Sequence, residues 1–290
     1  MAALVSWGDA KAEPAPGASA SPSASSPQRA LGGRQLAYDN RRGVFLVRGD
    51  GRGRRRLGPG REPSWLPGGR LAVLDGAPIV IDSRGRVLRR LVLGPPSGPR
   101  RYENLDPGSL AGSPDGRRLA FTRALRSQGE ERPRELAVIR TDGSGQRTLV
   151  LTRQTAFGGA EDPSFSPGGQ RIAYVFDQGA IETIGVDGSK RRVLYHDKGI
   201  PHSPRWSPDG RLIAFAVEDD SGNGRVHVMR PDGSGVREVG PGDCPEWTPD
   251  GRALLVLPAR GARVSILGLD GKRGGTLPAA DAICPRIRPP

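Results

Sequence analysis

The chain has 290 residues with a formal net charge of +13, and 43 Gly with 28 Pro supply about a quarter of it. That composition excludes a helical protein, and without an organising repeat it would describe a disordered one. No run of about 18 apolar residues occurs, which excludes a membrane-spanning helix.

Residues 1–12 end in Ala10-Lys11-Ala12, the small-x-small form of an export cleavage site, but lack a basic start and a long apolar run. They read as a truncated export signal, with an ordinary disordered start as the alternative. Residues 13–28 are rich in Ala, Pro and Ser and bury too little apolar surface to offset their ordering entropy. Residues 1–30 are therefore expected to be leader and tether, and residues 31–290 the folded domain. With no cysteine near the start, lipid attachment has no acceptor.

A repeat begins at Gly32-Gly33-Arg34-Gln35-Leu36-Ala37-Tyr38 and returns as Trp65-Leu66-Pro67-Gly68-Gly69, then as Gly112-Ser113-Pro114-Asp115-Gly116-Arg117. It continues as Phe165-Ser166-Pro167-Gly168-Gly169, Trp206-Ser207-Pro208-Asp209-Gly210-Arg211-Leu212-Ile213-Ala214-Phe215 and Trp247-Thr248-Pro249-Asp250-Gly251. The turn glycines are separated by 36, 47, 53, 41 and 41 residues, the spacing of propeller blades. Pro presets the first turn position and Gly accepts positive φ, so each copy predicts strand, tight turn, strand. The run after each turn, as in 212–217, is apolar without alternation, which predicts a strand buried on both faces. An Asp-Gly hairpin follows in five copies, as at Asp142-Gly143, with a weaker Ile81-Asp82-Ser83-Arg84-Gly85 in the other, and predicts the step into the outermost strand. At the C-terminal end Pro285-Arg286-Ile287 matches Pro245-Glu246-Trp247 but no second strand follows, while the first copy lacks an inner strand. The sequence thus predicts an all-β, six-bladed propeller with four-stranded antiparallel blades, closed by the C-terminal segment completing the first blade.

The Trp-Ser-Pro-Asp-Gly-Arg-x-Ile-Ala-Phe motif with its Asp-Gly hairpin resembles the WD-like repeat of TolB-type β-propellers over residues 31–290. The resemblance implies an extracytoplasmic propeller that binds other proteins. TolB itself carries an α/β domain before its propeller, and residues 1–30 are too short to form one.

The Pro-Asp-Gly and Asp-Gly turns fall on one face, and the long connections at 94–105, 124–134, 152–162, 195–203 and 218–224 fall on the other. Binding is expected on the long-loop face. Glu62, Asp106, Asp162, His202, Asp243 and Asp281 precede the inner strands and are expected to ring the channel mouth there, where they would receive a cation or a basic peptide. The alternative is turn chemistry, because Asp before Pro starts many turns. Tyr102, Phe157 and Tyr195, with Arg100, Arg101 and Arg153, are the loop residues suited to anchor a protein. Cys244 and Cys284 each precede a repeat proline, and read either as a disulfide clamping the closing strand to its neighbour or as two buried thiols.

The basic excess, almost all Arg, would suit a polyanion such as nucleic acid or a cell-wall polymer, and equally reflects a GC-rich genome. Its pairs and triplets make no single stripe. No transition-metal spacing, nucleophile elbow or phosphate cradle occurs, and the loop at Asp219-Asp220-Ser221-Gly222-Asn223-Gly224 has Arg230 where a calcium site needs its bidentate acid. The expectation is a monomeric, non-enzymatic, extracytoplasmic bacterial protein-interaction module without cofactor. The alternatives are a polyanion binder, a propeller lyase or hydrolase using His202 and the carboxylates, and a cytoplasmic location.

Overall fold

The computed structural model describes residues 31, 33–95, 103–126, 134–152, 159–177, 179–196, 199–219, 221–258, 263–277 and 283–288. The leader and tether expectations fall on residues 1–30, which lie outside the described residues.

Three of the repeat turns fold as their side chains dictate. In the turn 113–116 the Ser113 hydroxyl donates to Asp115 Oδ1 (2.6 Å), and Asp115 Oδ1 accepts the Arg117 N–H (3.0 Å). Ser113 Oγ in turn accepts the Arg118 N–H (2.9 Å), and Gly116 closes the turn at φ 68°. Ser207 with Asp209 and Thr248 with Asp250 repeat the arrangement. Side chains thus supply local partners for the hairpin from within a few residues.

The hairpins build six four-stranded antiparallel sheets. Blade one takes Ile283–Ile287 as its inner strand, followed outward by Gln35–Asn40, Gly43–Arg48 and Arg55–Gly58. The closing strand runs antiparallel to the second, with Leu36 opposite Ile287 and Ala37 opposite Arg286. The inner strands of blades two to six are Arg61–Leu66, Glu103–Gly112, Ala160–Phe165, Ile200–Trp206 and Asp243–Trp247. This is the architecture and the closure that the repeat predicts.

The apolar core lies between blades rather than within them. In the strand Ile213–Glu218, Ile213, Phe215 and Val217 pack with Ile181 and Leu194 of blade four. Ala214, facing the other way, packs with Leu254 and Val256 of blade six. The lack of alternation in the sequence is explained, since both faces of the sheet are interior. The remaining interfaces are built alike, including blade six on blade one through Leu255, Ile266, Tyr38 and Ile287.

Polar side chains staple the same seams. Trp65 Nε1–H of blade two donates to the Arg286 carbonyl of blade one, and Trp247 Nε1–H of blade six donates to the Arg205 carbonyl of blade five, both at 3.0 Å. On the outer strands Arg89 donates to the Asp142 carbonyl, Arg147 to that of Asp187 and Arg237 to that of Leu269, each on the next blade. Part of the arginine excess therefore serves inter-blade contact. Cys244 and Cys284 form a disulfide between the inner strands of blades six and one, with Cα atoms 5.1 Å apart. Within blade three, Arg123 and Glu135 form an ion pair whose side chains are both fully buried.

Two stability effects follow. The disulfide spans 40 residues, so Cys244→Ser with Cys284→Ser should lower the unfolding free energy by about 4 kcal/mol on loop-closure grounds. Denaturant titration of oxidised and variant protein checks this. Glu135→Ala should cost about 3–5 kcal/mol in the same assay, because it leaves the Arg123 charge buried without its carboxylate.

Candidate functional site

The inner strands do not run straight into the channel. Glu62, Asp162, Ser203, Cys244 and Cys284, each directly before the repeat proline, adopt positive φ of 54°, 52°, 53°, 48° and 38°. Strand pairing shifts register at the same place in blades two, four, five and six. Left-handed backbone in a non-glycine residue before proline is costly, so a bulge repeated around the ring marks a geometry the fold maintains.

The bulge residues link the blades at the long-loop end of the channel. Asp162 N–H donates to Ser109 Oγ of blade three (3.0 Å), and Asp162 Oδ2 accepts the Ser203 N–H of blade five (2.9 Å). Cys244 continues this order of contacts to Cys284 through the disulfide. His202 Nε2 lies 3.2 Å from Asp243 Oδ1, and Glu62 Oε2 lies 4.0 Å from Arg286 Nη2. Asp39 is buried beside them. Burial and the Glu62 carboxylate raise Asp39 to about 7, against the pull of Arg286.

Of the residues expected at the mouth, the structure places Glu62 and Asp162 on the bulge itself and His202 and Asp243 one residue earlier. The equivalent bulge positions in blades five and six are Ser203 and Cys244. Asp106 lies in the inner strand of blade three. Asp281, Tyr102, Phe157, Arg100, Arg101 and Arg153 lie outside the described residues. Tyr195 belongs to the outer strand Arg192–His196, is half-buried, and one side of its ring packs on Phe215, with centroids 4.8 Å apart. The long connections are shorter than the sequence implies, because the inner strands begin at Glu103, Ala160 and Ile200.

One charged group was not anticipated. The residue just after the repeat proline points into the channel, and in blades five, six and one it is Arg205, Glu246 and Arg286. Both guanidiniums flank Glu246 Oε2, at 3.6 Å from Arg205 Nε and 3.7 Å from Arg286 Nη1. Burial and Arg286 bring Arg205 down to about 10, and burial pushes Glu246 up. The sequence signal was a charge between proline and the bulky strand residue, in Pro-Arg-Trp, Pro-Glu-Trp and Pro-Arg-Ile. Beside this group a cavity of about 230 Å³ reaches Pro114 in the short-turn layer.

These shifts set a pH dependence. A raised carboxyl favours the protonated folded state, so Asp39 lowers stability as pH rises from about 4 to about 7 and adds nothing further above. Asp39→Asn should remove up to about 4 kcal/mol of that decline, read as converging denaturation midpoints at acid and neutral pH. Turn carboxylates act oppositely and lower on the scale. Ser144 holds Asp142 at about 2, so its stabilisation is full above the ordinary 3.8 and fades as pH falls toward 2.

A sequence profile described as the TolB beta propeller domain matches residues 112–277, more than half of the chain. The Tol-Pal system protein TolB of Syntrophus aciditrophicus is 37% identical over 76 residues, which cover 24% of this chain and 17% of that protein. The chain therefore spans less than a fifth of this curated relative. Among solved structures, TolB from Acinetobacter baumannii superposes with a TM-score of 0.65 at 19% identity, covering 89% of this chain and 67% of that one. An oligogalacturonate lyase in complex with manganese superposes with a TM-score of 0.57 at 13% identity, covering 80% and 69%, so the fold also hosts catalysis. With the repeat, the six blades and the profile in agreement, the chain belongs to the TolB beta propeller domain family.

Proposed function

We propose that this propeller is a non-enzymatic, extracytoplasmic binding module that takes a basic segment of a partner protein at the long-loop mouth of its channel. The observation carrying this reading is the ring of bulges, which brings the partly exposed carboxylates of Glu62, Asp162 and Asp243 together with His202 around one opening. Rigid, preorganised charge on strand ends costs little further ordering when a partner binds. The disulfide supports a place outside the reducing cytoplasm. The TolB relative is a protein of a Tol-Pal system, and a role in assembling with other proteins is carried to this chain as part of the proposal. Polyanion binding is less favoured, because Arg89, Arg147 and Arg237 spend hydrogen bonds on neighbouring blades.

Because Asp162 also ties blade four to blade five, amide variants are the right probe: they keep an acceptor and remove charge. Glu62→Gln, Asp162→Asn and Asp243→Asn together should weaken capture of a discrete cell-envelope protein by at least about tenfold, or about 1.4 kcal/mol. Affinity capture from envelope extract, followed by titration of the identified partner, checks this. Undiminished binding by the triple variant would refute the mouth as the site, and retention on heparin with a steep salt dependence would favour the polyanion reading.

A further inference from the structure

We propose that the short-turn half of the channel is a separate binding site for a small organic monocarboxylate, clasped by Arg205 and Arg286. The two side chains are about nine-tenths buried, with 10% and 11% of their surface exposed. Arg205 donates from Nη1 to the Pro204 carbonyl at 2.7 Å, and Arg286 Nη1 is buried without a hydrogen-bond partner among the described residues. Glu246 stands between them at 3.6 and 3.7 Å, distances that supply charge but lie beyond an N–H···O bond. Buried donors in native proteins find acceptors, and a guanidinium nitrogen left without one beside a cavity is open to an acceptor that enters from outside.

The charge balance selects an anion. Two guanidiniums face the cavity with one carboxylate, whereas Glu62 and Asp162 lie outside its lining, on the mouth side. Burial pushes both Glu246 and Glu62 up, Asp162 and Glu62 also act on Arg205 from the mouth side, and Arg205 at about 10 remains charged at neutral pH. Ser64 Oγ accepts the Gly112 N–H at 2.8 Å and keeps its own O–H as a donor at the cavity wall. Arg288 lies 5.6 Å from the ring centroid of Trp65, one of the wall residues.

The walls select an organic body. Trp65, Leu110, Phe165 and Ile287 supply apolar surface to the same lining, and about 230 Å³ is less than a drug-sized ligand fills. A planar carboxylate meets the guanidinium fork through two parallel hydrogen bonds, which a spherical anion does not.

Calorimetric titration of the intact protein with phenylacetate, its neutral amide phenylacetamide, acetate and chloride tests the site. Phenylacetate should bind saturably and at least tenfold more tightly than the other three. Arg286→Gln should weaken it at least tenfold, and so should Ser164→Leu, which fills the cavity and leaves every charge in place. Thermal unfolding verifies that each variant is folded, and if Arg286→Gln is not, Ser164→Leu carries the comparison alone. Absence of saturable phenylacetate binding, equal affinity for acid and amide, chloride or acetate binding as tightly as phenylacetate, or undiminished binding by folded Ser164→Leu would each overturn the proposal. The outcome is independent of partner capture at the opposite mouth, which Ser164→Leu should leave unchanged.

Discussion

Every strand pattern in this molecule answers to one requirement: sheets that are apolar on both faces can shed water only against each other. A single blade has no second layer to lie on, so stability comes from the seams between blades. Six seams arranged in a ring leave no bare face, provided that the ring closes. The seam between blades six and one is where closure is decided, and there the apolar cluster of Leu255, Ile266, Tyr38 and Ile287 is joined by the Cys244–Cys284 disulfide. The tryptophan staple from Trp65 to the Arg286 carbonyl then ties the closing strand to blade two, so that both neighbours hold it.

The same ring creates the channel, and the bulge divides it. Before the proline, left-handed residues hold carboxylates and the blade-to-blade contacts at the long-loop end. After the proline, Arg205, Glu246 and Arg286 stand in the interior. Opposite charges are thus separated along the axis by about two residues of strand, and each layer favours the charged form of the other. Glu62 and Asp162 help to keep Arg205 charged despite its burial, and Arg286 restrains the rise of Asp39 and Glu62.

Turns, blade number and closure were legible because local chemistry determines them. Ser113 with Asp115 folds its hairpin from atoms within a few residues, and the unmatched Pro285-Arg286-Ile287 announces a strand that needs a distant partner. The site was legible only in part. Alternation along a strand predicts which side chains share a face, but the left-handed bulge before the repeat proline interrupts it, and relative to that proline His202 and Asp243 stand one residue earlier than Glu62 and Asp162. Arg205 and Arg286 look like two more surface arginines in a basic chain. Their burial is a property of the closed ring, which no stretch of the sequence encodes alone. Tyr195 shows the converse, since an aromatic residue beside an apparent loop proved to be fixed on Phe215 by the seam between blades four and five.

The pairing of Leu36 with Ile287 also imposes an order in time. A chain that leaves the ribosome or a translocon from its N-terminus presents Gln35–Asn40 long before Ile283–Ile287 exists. At typical synthesis speeds the wait is on the order of tens of seconds. Throughout it the inner edge of the first blade is an open row of backbone donors and acceptors, available to any extended segment that passes. Its occupation by a chaperone, by a neighbouring nascent chain or by its own last strand is a competition settled late, and the disulfide records which contender won.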